Sequence, residues 1–359
     1  MPSASRVVMC AAGGGKTTRI VADAVSNVAD KMLLVTYTRN NERELRSRLY
    51  QHGPVIPSNI EVMTWFGFML RELARPYRRV MHPRRIENIH FVEGVSAQFV
   101  PASKTASHYF LGDRYIYSDK IAKFILECDR RSMGAVMKRL AMRFDHILVD
   151  EVQDIAGYDL DLLELMLSAG IRLTLVGDHR QATFKTNHGR QNKAFSGIKI
   201  VEKFRAWEKR RLVSIDYETQ THRCNQIIAD LSDTLFPTEP KTNSLNTTLT
   251  GHDGVFIVRS DQIDAYVAKY APQILRLDRR TNCGGLNAMN FGDSKGLTFD
   301  RVLIFPHAKA KQWLASGSLI HIEKSLAKMY VGVTRAKFSL AFVHDKTVAI
   351  AGTSAFQGS

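Results

Sequence analysis

Hydrophobic positions come in short runs that alternate with amphipathic stretches along most of the chain. Val7 to Ala11 is an apolar run that closes on Gly13-Gly14-Gly15, after which Ile20, Val21, Ala24, Val25 and Val28 recur at helical spacing. This predicts a strand, a glycine turn and a helix. Similar runs at Met32 to Thr36, Ile60 to Met63, Ile147 to Val149 and Leu173 to Val176 are bounded by polar or glycine residues, as buried strands of a parallel sheet are. From about residue 74 to residue 143 the pattern weakens, turns basic and is broken by Pro76, Pro83 and Pro101, which predicts a helical, basic insertion. A second unit is expected to begin near Leu212, with a strand ending about Asp216 and a helix from about Cys224 to Leu235 that stops before Pro237. Its later strands are expected at Gly254 to Val258, Arg301 to Phe305 and Phe338 to Val343, with a surface loop over Thr238 to Gly251. The fold class expected is α/β, with parallel sheets in two domains.

Length agrees, because 359 residues exceed what one hydrophobic core usually organises. Lys and Arg total 50 against 35 Asp and Glu, a net charge of +15, and such a surface attracts polyanions, nucleic acid first among them. The clusters Arg71, Arg75, Arg78, Arg79, Arg84, Arg85 and Lys203, Arg205, Lys209, Arg210, Arg211 also read simply as solvated faces. Cys10, Cys128, Cys224 and Cys283 are too far apart for a zinc or redox pair, so reduced thiols are expected. No apolar run approaches the ~18 residues that span a bilayer. A soluble, cytoplasmic protein with no membrane contact is the expectation.

The glycine turn carries the first candidate chemistry. In Ala12-Gly13-Gly14-Gly15-Lys16-Thr17-Thr18, glycines let successive N–H groups converge on an anion, the helix start adds partial positive charge, and Lys16 can reach the β and γ phosphates. Thr17 would ligate Mg²⁺. The strict motif has glycine where this chain has Cys10. The second candidate is Leu148-Val149-Asp150-Glu151-Val152-Gln153-Asp154: a carboxylate ending a buried strand is costly unless it meets a cation, so Asp150 suits Mg²⁺ and Glu151 suits activation of water. Each segment has a plain alternative, a chance glycine turn and an acidic surface turn.

Taken in order, these and later segments resemble the motifs of UvrD/Rep-type superfamily 1 DNA helicases. The glycine loop resembles motif I, Thr36-Tyr37-Thr38-Arg39 motif Ia, Met63-Thr64-Trp65-Phe66 motif Ib, Asp150 to Asp154 motif II and Gly177-Asp178-His179-Arg180-Gln181 motif III. Thr221-His222-Arg223-Cys224 resembles motif IV, Ser294 to Asp300 motif V and Tyr330 to Lys337 motif VI. The resemblance implies two RecA-like P-loop domains, residues 1–205 with the insertion at about 74–143 and residues 206–359 with little or no 2B insertion. It implies ATP and Mg²⁺ in the cleft of those domains, with Arg223 and Arg335 as arginine fingers, Gln181 sensing the γ-phosphate or attacking water, and Gly296 near the nucleotide. It places Tyr37, Thr38, Arg39, Thr64, Trp65, Phe184 and Ser294 against nucleic acid. Thr186 and Asn187 stand where the family has an aromatic residue and an arginine; Asn290, Gly292 and Thr298 are further departures, and no glutamine segment precedes the first strand. The function implied is 3′ to 5′ movement of a DNA-associated monomer on single-stranded or tailed duplex DNA, with a nuclease or a replication or repair factor as a possible partner. RNA stays open, as do three rivals: an ATPase switch that remodels a partner without unwinding, a small-molecule kinase, and a non-enzymatic DNA-binding module.

Overall fold

A computed structural model of the protein describes residues 5–187 and 189–357. Five parallel strands form most of the first sheet: β1 (Arg6–Cys10), β2 (Met32–Thr36), β3 (Ile60–Thr64), then, after the segment holding β4 (Asn88–His90), β5 (Phe110–Leu111) and β6 (Tyr115–Tyr117), β7 (His146–Val149) and β8 (Leu173–Gly177). β9 (Ser214–Glu218) completes it at the edge beside β1, in the order β3-β2-β7-β8-β1-β9. The strand expected to open the second unit therefore belongs to the first sheet. Val7, Leu33, Val35, Ile147, Val149, Leu173 and Leu175 are buried in one core, as apolar runs covered on both faces of a parallel sheet must be.

The segment from 74 to 143 is less helical and less separate than its pattern predicts. It contains a three-stranded sheet ordered β4-β6-β5 besides the helices Ile121–Arg131 and Ala135–Arg143. Ile86, Tyr109, Phe124 and Cys128 lie in the same core as Val7 and Leu33, because the apolar face of Ile121–Arg131 packs there. Much of the basic run is spent on fixing this segment. Arg75 donates to the carbonyls of Ile86 and Glu87, Arg78 to that of Arg84, Arg84 pairs with Asp113, and Arg71 pairs with Glu61 and buried Glu72.

The second sheet follows a two-residue pair, β10 (Gln220–Thr221) with β11 (Asn243–Ser244), of which β11 lies inside the stretch expected to be loop. Its strands are β12 (Gly254–Val258), β13 (Gln273–Arg276), β14 (Ala288–Asn290), β15 (Phe299–Phe305), β16 (Ala336–Val343) and β17 (Thr353–Ala355), ordered β14-β13-β15-β16-β12-β17. With the inserted strands set aside, each sheet places its strands, counted in chain order, as third, second, fourth, fifth, first, with one added edge strand beside the first. Two units of one topology thus share no visible sequence repeat. By compactness, Lys16–His179 and Phe184–Asp216 form the first unit with β1 as far as Met9; Cys10–Gly15, Arg180–Thr183 and the chain from Tyr217 form the second.

Candidate nucleotide and nucleic-acid site

In the first unit, Lys16 and Thr17 open the helix Lys16–Ser26, which buries Ile20, Val21 and Ala24. The amphipathic spacing holds the helix down, so its N-terminal charge stays directed at the end of β1. Asp150 follows the last residue of β7; its N–H donates to the Val35 carbonyl at 2.7 Å and its carboxylate accepts from the Glu151 N–H at 2.9 Å. Only 4% of Asp150 is exposed. Burial first, and then the Glu151 charge, push its pKa well above the usual carboxylate range, while Lys16 draws it back. A buried carboxylate beside a lysine and a helix start is a donor set that fits a hydrated divalent cation.

Glu151 has φ of +56°, a left-handed conformation that non-glycine residues hold only under local constraint. Gln153 supplies that constraint, donating to the Glu151 carboxylate while its own oxygen accepts from the Asp178 N–H at 3.0 Å. A Cβ at Gly177 would collide with that oxygen, which accounts for the glycine in the motif III word. Motifs II and III are therefore joined by a buried glutamine. Thr18 is exposed, and its hydroxyl accepts from Arg48 at 2.7 Å.

The glycine loop itself makes its contacts within the second unit. Ala11 N–H donates to the Glu218 carbonyl at 2.8 Å, the Thr221 hydroxyl to the Ala12 carbonyl at 2.7 Å, and the His222 N–H to the Gly13 carbonyl at 3.1 Å. Gly13 has φ of +76°, and a Cβ there would lie 2.5 Å from Arg223 Cβ. Gly14 would meet the Gln220 carbonyl at 2.8 Å. Arg223, the predicted motif IV finger, thus rests on the loop, its guanidinium donating to the Thr334 carbonyl at 3.1 Å. Arg335 is fully buried; it donates to the carbonyls of Val331 and Leu297 at 3.0 Å each and to Gln181 Oε1 at 3.1 Å. Motifs III, V and VI meet at this guanidinium. Gly296, next to Leu297, is exposed with φ of +88° and open space around it.

The predicted nucleic-acid residues divide. Tyr37 is half-buried with its ring 6.0 Å from that of Phe66, Arg39 is exposed, and Phe184 is 46% exposed. Thr38 and Thr64 act as helix caps, accepting from the N–H groups of Asn41 and Gly67 at 3.1 Å each. Trp65 and Ser294 are both buried. Trp65 is 1% exposed, with its indole N–H on Asp159 at 3.0 Å, so it offers no face for stacking. Ser294 is fully buried and donates to the Phe291 carbonyl at 2.8 Å, bracing its turn. Pattern reading did not single out Phe91, which is 66% exposed with its ring edge-on to Phe66 at 5.1 Å, so that Tyr37, Phe66 and Phe91 form a row ending at the surface. A lone phenylalanine after a polar strand carries no periodic signal to mark it.

A parallel sheet feeding a glycine loop into a helix, with a carboxylate at the end of another strand of the same sheet, defines a P-loop nucleoside triphosphatase. Residues 1–187 match the AAA domain family and residues 127–344 match the viral superfamily 1 RNA helicase core domain. The chain belongs to the viral superfamily 1 RNA helicase core family. Among solved structures it is similar to the Arterivirus nonstructural protein 10 (helicase), at 15% identity and a TM-score of 0.49, covering 95% of this chain and 59% of that one. The complex of that protein with DNA compares at 16% identity, TM-score 0.49, 95% and 61%. The chain thus spans about three-fifths of those proteins. No curated protein matches it. The UvrD/Rep assignment is finer than these findings carry; the superfamily 1 core is what they support. No helix is long and apolar enough to cross a membrane, and no cluster of metal-ligating side chains occurs, among the described residues.

Proposed function

We propose that the protein is an ATP-hydrolysing helicase that moves along single-stranded nucleic acid. The observation that carries this reading is the Gln153 bridge, which fixes Glu151 in a strained backbone beside Asp150 and ties both to the motif III word. In the proposed roles, the N–H groups of Ala12 to Thr18 and the Lys16 ammonium bind the triphosphate. Thr17 and Asp150 hold Mg²⁺, which when bound offsets charge on the β and γ phosphates. Glu151 orients the attacking water and takes its proton. Gln181, Arg223 and Arg335 are proposed to supply hydrogen-bond donors to the transferred phosphoryl group, where developing charge gives a guanidinium most leverage.

The strand lies along Tyr37, Arg39, Phe184 and the exposed end of the aromatic row, since ring faces accept any base and the +15 charge supplies the general attraction. The motif words resemble DNA helicases moving 3′ to 5′, and that substrate and polarity are proposed on this ground alone. Displacement assays on duplexes with a 3′ tail or a 5′ tail, in DNA and in RNA, test each part. ATP-dependent release only from 3′-tailed DNA is the result expected. Release from 5′-tailed or RNA substrates would overturn polarity or substrate, and hydrolysis with no release from any would favour the switch that remodels a partner.

A further inference from the structure

Thr186 and Asn187 stand where the helicase resemblance has residues that grip the strand, yet both are buried. Thr186 clamps the end of the carboxylate segment: its N–H donates to the Asp154 carbonyl at 2.9 Å and its hydroxyl accepts from the Ala156 N–H at 3.0 Å. Asn187 reaches the other way. Its amide donates to the Asp119 carbonyl at 3.0 Å, and its oxygen accepts from the Gly189 N–H at 2.8 Å. A Cβ at Gly157 would lie 2.7 Å from Asn187 Cγ, so the residue after the clamp is glycine because the asparagine fills its space. Asp119 in turn accepts from the N–H and the hydroxyl of Ser96, at 2.9 and 2.6 Å.

These bonds form one unbroken path from Ser96, through Asp119, Asn187 and Thr186, to the turn that follows Glu151. Ser96, Asp119, Thr186 and Asn187 are each at most 9% exposed, and in such surroundings polar bonds are strong and their loss is felt by neighbours. At one end, Ser96 lies five residues beyond Phe91, the surface end of the aromatic row. Next to the other end, Phe184 precedes Thr186 by two residues. A path of buried polar bonds between the insertion and the carboxylate turn gives the two segments a direct mechanical connection.

We propose that Thr186 and Asn187 are positioning residues that couple strand occupancy of the insertion to the placement of Asp150 and Glu151, and so set how far nucleic acid accelerates ATP hydrolysis. This rests on the helicase reading above. The test measures ATP turnover with and without a saturating single strand for the wild type, Thr186→Val, Thr186→Ser and Ser96→Ala. Thr186→Val keeps the shape and removes the acceptor; it is expected to cut the stimulation ratio about tenfold with ATP KM unchanged. Thr186→Ser, which retains the hydroxyl, should restore it. Ser96→Ala, distant along the path, should lower stimulation too, and less than additively in combination with Thr186→Val. A stimulated wild type whose variants keep the same ratio would overturn the coupling alone. A merely structural role predicts loss of turnover in both conditions, or no rescue by serine, and either result also overturns it. A wild type that hydrolyses ATP but ignores the strand would overturn the helicase reading and the coupling together.

Discussion

Asp159 shows how one residue ties stability to the site. Its carboxyl is 1% exposed and accepts from the Trp65 indole; burial raises its pKa from the ordinary 3.8 to about 7, against the lowering effect of the Thr186 hydroxyl and that indole. A carboxyl whose pKa is raised by folding binds its proton more tightly in the native state than in the unfolded one. Its stabilising contribution is complete below about pH 4 and is lost as pH climbs through about 7, at no more than roughly 1.4 kcal/mol per unit. Urea unfolding of the wild type and Asp159→Asn between pH 4 and pH 8 should give curves that converge differently, the wild type losing ground to the variant as pH rises. Parallel curves would show that Asp159 titrates as an ordinary carboxylate. Phe91 carries a different prediction. Replacing it with alanine should weaken binding of a single strand by about 5- to 150-fold, the range for one lost base–ring stack, while Phe91→Trp retains affinity. Fluorescence anisotropy with a labelled oligonucleotide reads this, and equal affinities would remove Phe91 from the strand path.

At the scale of elements, motif VI depends on a glycine for packing. A Cβ at Gly332, within the helix Leu326–Val333, would lie 2.5 Å from the buried Phe291 ring. Helix propensity alone favours alanine by about 1 kcal/mol, but overpacking costs about 1 to 3 kcal/mol, so Gly332→Ala should lower Tm and Phe291→Leu should recover part of the loss. A raised Tm in the single variant would mean that the ring yields. The strands read most fully from sequence were those buried on both faces, such as β2 and β8, because an unbroken apolar run has one interpretation there. β13 escaped notice because it is four residues long and begins and ends with Gln273 and Arg276, and β9 was placed in the wrong sheet because Ser214, Ile215 and Asp216 give no sign of which edge they join. Chemical words fared likewise. Lys16, Asp150 and Glu151 stood out because phosphate and metal chemistry narrows residue choice, whereas the burial of Trp65 and Ser294 was not legible because a motif position does not say which way a side chain faces.

For the whole molecule, two sheets of one strand order arise from halves with no visible sequence likeness, which is what a shared backbone topology with separately chosen cores produces. The +15 charge has its use at this scale, since much of the first basic cluster is already committed to carbonyls and carboxylates of its own segment. In the proposed reading, attraction to a polyanion is therefore assigned to the whole surface and base contact to a few rings. The central claim, that this is a nucleic-acid-driven ATPase, is tested most directly by ATP turnover in Mg²⁺ with and without a single strand, in the wild type and in Lys16→Ala. The account predicts turnover that rises several-fold with the strand and falls at least about a hundredfold on loss of the lysine, the scale of removing one preorganised charge from phosphoryl transfer. Undiminished turnover in Lys16→Ala, or a wild-type rate indifferent to nucleic acid, would contradict it.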